Sequence, residues 1–227
     1  MSLVSTEWVE KNINNLKIID CSWHMPNVNR NPHKEYLESH IENSIFFDLD
    51  KNSDLNTDLP HMLVKNYEWE KIVSKMGITN KDKILIYDNS DVLSSCRCWY
   101  NFIYFGHNRN LVHVLDGGLK KWNLEKKQTT KKILEIKPTK YIASEIKDLV
   151  KNKSQINVNI KEQKFQVIDA RSRERFEGKV KEPRKGIRSG SILNSSCIPF
   201  RELINDDNTF KNEKEITKIF KNILGEE

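Results

Sequence analysis

Two stretches of this 227-residue chain repeat one order of landmarks about 150 positions apart. Ile18-Ile19-Asp20 leads to His40-Ile41-Glu42-Asn43-Ser44 and Phe46-Phe47-Asp48, while Val167-Ile168-Asp169 leads to Ser191-Ile192-Leu193-Asn194-Ser195 and Ile198-Pro199-Phe200. Met76-Gly77 and Leu224-Gly225 keep nearly the same spacing. A duplication of this size predicts two similar domains rather than one large one. The first copy continues into its most strand-like segment, Ile84-Leu85-Ile86-Tyr87-Asp88, whereas the matching strand of the second copy falls beyond Glu227. The expectation is therefore a complete N-terminal domain over 1–124, a linker over 125–142 and a truncated C-terminal domain over 143–227. What is cut away is a strand tip, and strand tips are where parallel α/β sheets keep their chemistry.

The fold class follows from the alternation of elements. Ser5 or Thr6 caps a first helix with Trp8, Val9, Ile13 and Leu16 on one side, and the short apolar run Ile18-Ile19 follows. Tyr36 to Phe46 leads into a second strand after a loop rich in Asn, Pro and His; a helix over Tyr67–Met76 stops at Gly77. Strand Ile84–Tyr87, a helix from about Leu93 to Phe105 and strand Val112–Leu115 complete the first copy. In the second, a helix through Ile146 and Val150, a strand Phe165–Ile168 and a helix Glu213–Leu224 restore the same order. Apolar strands alternating with helices predict an α/β protein with a parallel sheet covered by helices on both faces.

Bulk chemistry narrows the function. No apolar run approaches the roughly 18 residues of a membrane span, and no secretory signal opens the chain, so no membrane partner and a cytoplasmic location are expected. The net charge of +6 is spread through surface lysine and is densest at Lys126, Lys127, Lys131 and Lys132, with no basic stripe interleaved with aromatics. Nucleic acid is therefore not an expected partner, although a modest positive field favours small anions. Four cysteines, Cys21, Cys96, Cys98 and Cys197, are too few for a disulfide framework and are expected reduced.

Several motifs then converge. Val4-Ser5-Thr6-Glu7-Trp8, Asp20 with Ser22-Trp23, Phe46-Phe47-Asp48-Leu49-Asp50, His61-Met62-Leu63, Arg97-Cys98-Trp99, Phe105-Gly106-His107 and Leu115-Asp116-Gly117-Gly118 with Trp122 resemble the N-terminal half of tandem rhodanese sulfurtransferases. Asp169-Ala170-Arg171, Arg175-Phe176, Glu182-Pro183-Arg184 and Ile198-Pro199-Phe200 resemble the opening of their C-terminal half. The resemblance implies the rhodanese fold and sulfur transfer from 3-mercaptopyruvate or thiosulfate, through a cysteine persulfide, to cyanide or a thiol. It implies no metal and no other cofactor. Asp50 and His61 resemble the pair that relays a proton to the pyruvate enolate, and Arg175 and Arg184 resemble the two guanidinium groups that grip the substrate carboxylate. The combination points to the mercaptopyruvate branch.

The nucleophile is the missing piece. The family seats its low-pKa cysteine in an amide-lined loop at a strand tip of the C-terminal half, and in the first copy that place is taken by Asp88, which as a residue reads as a turn or helix-capping aspartate. Cys197 and Cys21 read as buried core thiols. Cys96, near a helix start, is the candidate for a lowered pKa. A rhodanese-related phosphatase is excluded because Cys197 reaches Arg201 too early. Two functions stay open: an enzyme of the mercaptopyruvate type that is inactive as this isolated chain, or a rhodanese-like binding module. Loss of the central strand leaves the second copy with open edges, so residues after about Ile142 are expected to be partly disordered, rearranged or paired with another copy as a homo-oligomer. The usual Gly-His-Ile-Pro-Gly turn stands here as Gly190-Ser191-Ile192-Leu193-Asn194, which changes the local packing of that copy.

Overall fold

The computed structural model describes residues 2–183 and 186–225. It divides the chain into two compact units, Met1–Leu149 and Val150–Glu227.

The first unit is built on five parallel strands: β1 (Leu3–Val4), β2 (Lys17–Asp20), β3 (Ser44–Phe46), β4 (Ile84–Tyr87) and β5 (Val112–Leu115), in the order β1-β5-β4-β2-β3. Its helices are α1 (Thr6–Asn12), α2 (Pro32–Glu38), α3 (Asn66–Lys75), α4 (Ser94–Tyr104) and α5 (Gly118–Leu124). Helices cover both faces, so alternate strand residues must feed two cores. On β4, Ile84 and Ile86 join one, with Phe47, Trp69, Phe102 and Phe105; Leu85 and Tyr87 join the other, with Val9, Ile41, Leu119 and Trp122. All four β4 side chains are buried, as expected of a strand flanked on each side by another. Trp69 stacks on Phe105 at 4.8 Å and meets Phe102 edge-on, anchoring the first core.

Caps explain the boundaries. The Ser5 side chain accepts from the Trp8 amide at the start of α1, and Asn31 accepts from Lys34 before a proline-led α2. Helix α2 and the short β1 are elements that the sequence reading did not name; Pro32 at N1 was the available signal for the first, and two residues are too few to show a period for the second. Gly118, with φ +55°, sits where a Cβ would come within 2.5 Å of the Asp88 carbonyl oxygen, so the second glycine of Asp116-Gly117-Gly118 is a steric requirement.

Residues 125–142, expected as a linker, lie along the first unit. Thr130 exchanges backbone hydrogen bonds with His40 at 2.8 and 3.0 Å, the Thr139 amide donates to Ser74, and buried Tyr141 stacks on His107. Their charges masked a sparse apolar set: Leu134 and Ile136 pack against the Trp69 core, which Tyr141 joins.

The second unit contains α6 (Lys153–Glu162), β6 (Val167–Asp169), α7 (Arg173–Phe176), β7 (Ser195–Cys197) and α8 (Glu213–Leu224), and β6 pairs with β7 in parallel. The helix expected through Ile146 and Val150 is only a 3₁₀ turn over Lys147–Leu149. The regular helix starts after Asn152, whose side chain accepts from the Gln155 amide while Gln155 reaches back, a reciprocal cap stronger than the apolar spacing upstream. The duplication is visible in register: Asp20 lies opposite Phe46 on β3, and Asp169 opposite Cys197 on β7. The described residues after Ile142 thus take defined structure, with Phe165, Ile168, Ile192 and Leu193 exposed.

Candidate active site

The sheet order places β2 beside β4 at the point where the chain reverses its direction of winding, so the loops after these strands open the crevice in which such folds hold ligands. Strand β2 ends in Asp20. Its Oδ1 accepts from the Ser22 amide at 2.9 Å and the Ser22 hydroxyl at 2.5 Å, yet burial pushes its carboxyl up to about 6. Strand β4 is followed by Asp88, whose oxygens take the amides of Ser90 at 3.0 Å and Ser95 at 2.6 Å. The residue caps its own turn and the first turn of α4, while burial lifts its pKa. A carboxylate therefore occupies the amide-lined turn of this unit.

Asp50 and His61 come together on the long irregular connection between β3 and α3: His61 Nε2 lies 2.7 Å from Asp50 Oδ1. Asp50 is largely exposed and His61 mostly covered. The Trp23 indole donates to both Asp50 oxygens, at 3.0 and 3.1 Å, and its ring meets His61 edge-on at 4.9 Å. His61 has φ 54°, in the left-handed region, and its carbonyl accepts from Arg97 on α4. A carboxylate-bonded imidazole is a proton carrier suited to neutral pH.

In the second unit the arginines surround a carboxylate. Arg175 donates from Nη2 to Glu182 Oε2 at 2.5 Å and from Nε to Oε1 at 3.2 Å; Arg171 donates to Glu182 Oε1 at 2.7 Å and grips Asp169. The Glu182 side chain is only 3% exposed. Arg175 holds the Glu182 carboxyl below its ordinary value, as Arg171 does for Asp169. Arg184 lies outside the described residues.

The thiols are poorly placed for nucleophilic chemistry. Cys96, expected to profit from a helix start, has instead a pKa pushed up to about 12, because burial dominates and the nearby Asp88 charge adds to it. Burial also raises Cys21, which touches Cys98 and donates to the Ser94 carbonyl, and it raises Cys197, which donates to the Arg171 carbonyl. Cys98 is fully buried. Among the described residues no cluster of three or more His, Cys, Asp or Glu side chains could hold a metal ion, and no helix is long and apolar enough to cross a membrane.

Sequence reasoning paired Asp50 with His61 and named Arg175, but gave no role to Trp23, Arg97, Arg171 or Glu182. Each stood inside a quoted motif, and that membership was the only signal available. Distance between Trp23 and Asp50 along the chain hides their contact.

Comparison with known proteins then bears on identity. The Rhodanese-like domain family matches residues 5–125. The chain is 38% identical over 241 aligned positions to thiosulfate/3-mercaptopyruvate sulfurtransferase 1, mitochondrial, of Arabidopsis thaliana, covering 96% of this chain and 63% of that protein. It is 33% identical to the 3-mercaptopyruvate sulfurtransferase of Mus musculus, covering 97% and 76%. Among solved structures, the 3-mercaptopyruvate sulfotransferase SseA of Escherichia coli superposes with a TM-score of 0.87 at 27% identity, covering 97% of this chain and 83% of that one. The chain thus spans between 63% and 76% of the length of the curated relatives named here.

Proposed function

Because the chain belongs to the rhodanese-like domain family, we propose that it handles the proton and the carboxylate in sulfur transfer of the 3-mercaptopyruvate or thiosulfate type. The observation that carries this reading is the 2.7 Å pair of His61 and Asp50, on the motif positions that imply a relay. In the reaction a thiolate attacks the sulfur of 3-mercaptopyruvate. The carbon–sulfur bond breaks, the sulfur stays as a persulfide, the bonding pair leaves with carbon as the pyruvate enolate, and the imidazolium returns a proton to that carbon. Asp50 orients the ring. In the second unit, taken by itself, Arg175 and Arg184 are assigned to carboxylate binding, and the fork of Arg175 already holds a carboxylate in this structure, that of Glu182.

The persulfide is assigned to none of the four cysteines, because burial disfavours the thiolates of Cys21, Cys96 and Cys197, and Cys98 is fully enclosed. The chain by itself therefore binds donor without turning it over. The same buried thiols favour a second reading, a non-catalytic binding module. One assay bears on both: the protein is mixed with 3-mercaptopyruvate and dithiothreitol, pyruvate is measured, and Arg175 Nε is followed by NMR. The expected result is a shift of the Arg175 resonance with no pyruvate above the protein-free rate, and Arg175→Lys, which leaves Glu182 in place, should weaken 3-mercaptopyruvate binding measured by calorimetry. Sustained turnover overturns the assignment of idle thiols, and absence of any shift overturns the carboxylate grip.

A further inference from the structure

The relay pair sits on a loop without regular structure, so something other than backbone pairing must hold it. Two side chains from elsewhere in the first unit do so. Trp23 follows β2, where its own backbone is tied to both strand tips: its carbonyl accepts from the Ser90 hydroxyl at 2.5 Å, and the preceding Ser22 hydroxyl accepts from the Asn89 amide at 2.8 Å. From that fixed base the indole N–H straddles the Asp50 carboxylate. Arg97, half-buried on α4, is steadied by Asn101 through its Nε at 3.0 Å and donates from Nη2 to the His61 carbonyl. His61 is not a glycine, and its left-handed backbone persists only where surroundings impose it.

We propose that Trp23 and Arg97 are positioning residues for the Asp50–His61 pair. The indole fixes the carboxylate, and the guanidinium fixes the backbone from which the imidazole projects. An ionised carboxylate only accepts hydrogen bonds, so the fixed carboxylate places the neutral ring's proton on Nε2 and directs Nδ1 to proton exchange with substrate. The second statement rests on the proton-relay reading; the first does not.

The test reads the ring, not the reaction. In ¹⁵N-labelled protein above the imidazole titration, the two nitrogen shifts of His61 report the tautomer ratio. Trp23→Phe keeps an aromatic ring against His61 and deletes only the N–H; it is expected to lower the Nε2–H to Nδ1–H ratio about fivefold, the effect of one hydrogen bond. Because the indole acts through Asp50, adding Trp23→Phe to Asp50→Asn should change nothing further. Arg97→Ala should broaden the His61 signals, and Arg97→Lys should restore them in part. An unchanged ratio in Trp23→Phe, or an additive effect on top of Asp50→Asn, overturns the proposal. Should Trp23→Phe fail to fold, solvent exchange of the Trp23 indole N–H decides: several-fold faster exchange in Asp50→Ala supports the contact, and equal exchange refutes it. A lowered ratio combined with His61 signals that do not respond to added 3-mercaptopyruvate would remove the relay reading and leave the positioning intact.

Discussion

Replacing Asp20 with asparagine should make the first unit more stable at neutral pH and leave it nearly unchanged in acid. Asp20 is 2% exposed, and burial raises its carboxyl from an ordinary 3.8 to about 6. For an acid raised in the folded state, the favourable contribution is fully present below the ordinary value and is lost as pH rises through the raised one. The rise corresponds to about 3 kcal/mol lost by pH 8, an upper figure because the chain relaxes around the charge. The asparagine side chain stays neutral and still offers Oδ1 to the two Ser22 donors that Asp20 holds. All five tryptophans, at 8, 23, 69, 99 and 122, lie in the first unit, so fluorescence during urea unfolding reports that unit alone. Asp20→Asn should gain about 2 to 3 kcal/mol on the wild type between about pH 4 and pH 8, a midpoint shift of about 1 M urea. A stability difference independent of pH would refute the argument that burial, and not the Ser22 bonds, governs this carboxyl.

Two further predictions come from the same reasoning. Gly118→Ala should cost the first unit about 2 kcal/mol or more, since its Cβ would meet the Asp88 carbonyl at 2.5 Å in a left-handed backbone; the tryptophan-monitored urea midpoint measures it. In the second unit, the lowered carboxyls of Glu182 and Asp169 mean that their pairing with Arg171 and Arg175 stabilises fully above the ordinary carboxylate range and is lost as pH falls through the lowered values. Methyl NMR of Ile198 and Ile204 should therefore lose dispersion on acidification, and Glu182→Gln should abolish most of that pH dependence.

The α/β class was legible because β4 carries four consecutive apolar residues and the helices around it stop at glycines. Legibility failed where local signals were short or outweighed. Strand β1 has two residues, and the segment through Tyr141 hid its apolar contacts among lysines. The site divides in the same way. Asp50 and His61 could be named together because a motif supplied both, and Asp88 could be read as a cap because a carboxylate before a helix start has few other uses. Cys96 illustrates the limit: helix position argues for a thiolate, but position says nothing about burial or about Asp88, and these raise the pKa instead. Trp23 and Arg97 needed three dimensions, since one chain stretch donates to another far from it in sequence.

On this reading the residues supply a held imidazole and an arginine grip, with sulfur carried by none of their thiols. Intact-protein mass spectrometry after treatment with 3-mercaptopyruvate or thiosulfate, followed by peptide mapping of Cys21, Cys96, Cys98 and Cys197, tests it most directly. An unchanged mass is expected; a stoichiometric gain of one sulfur atom on any of the four would contradict it.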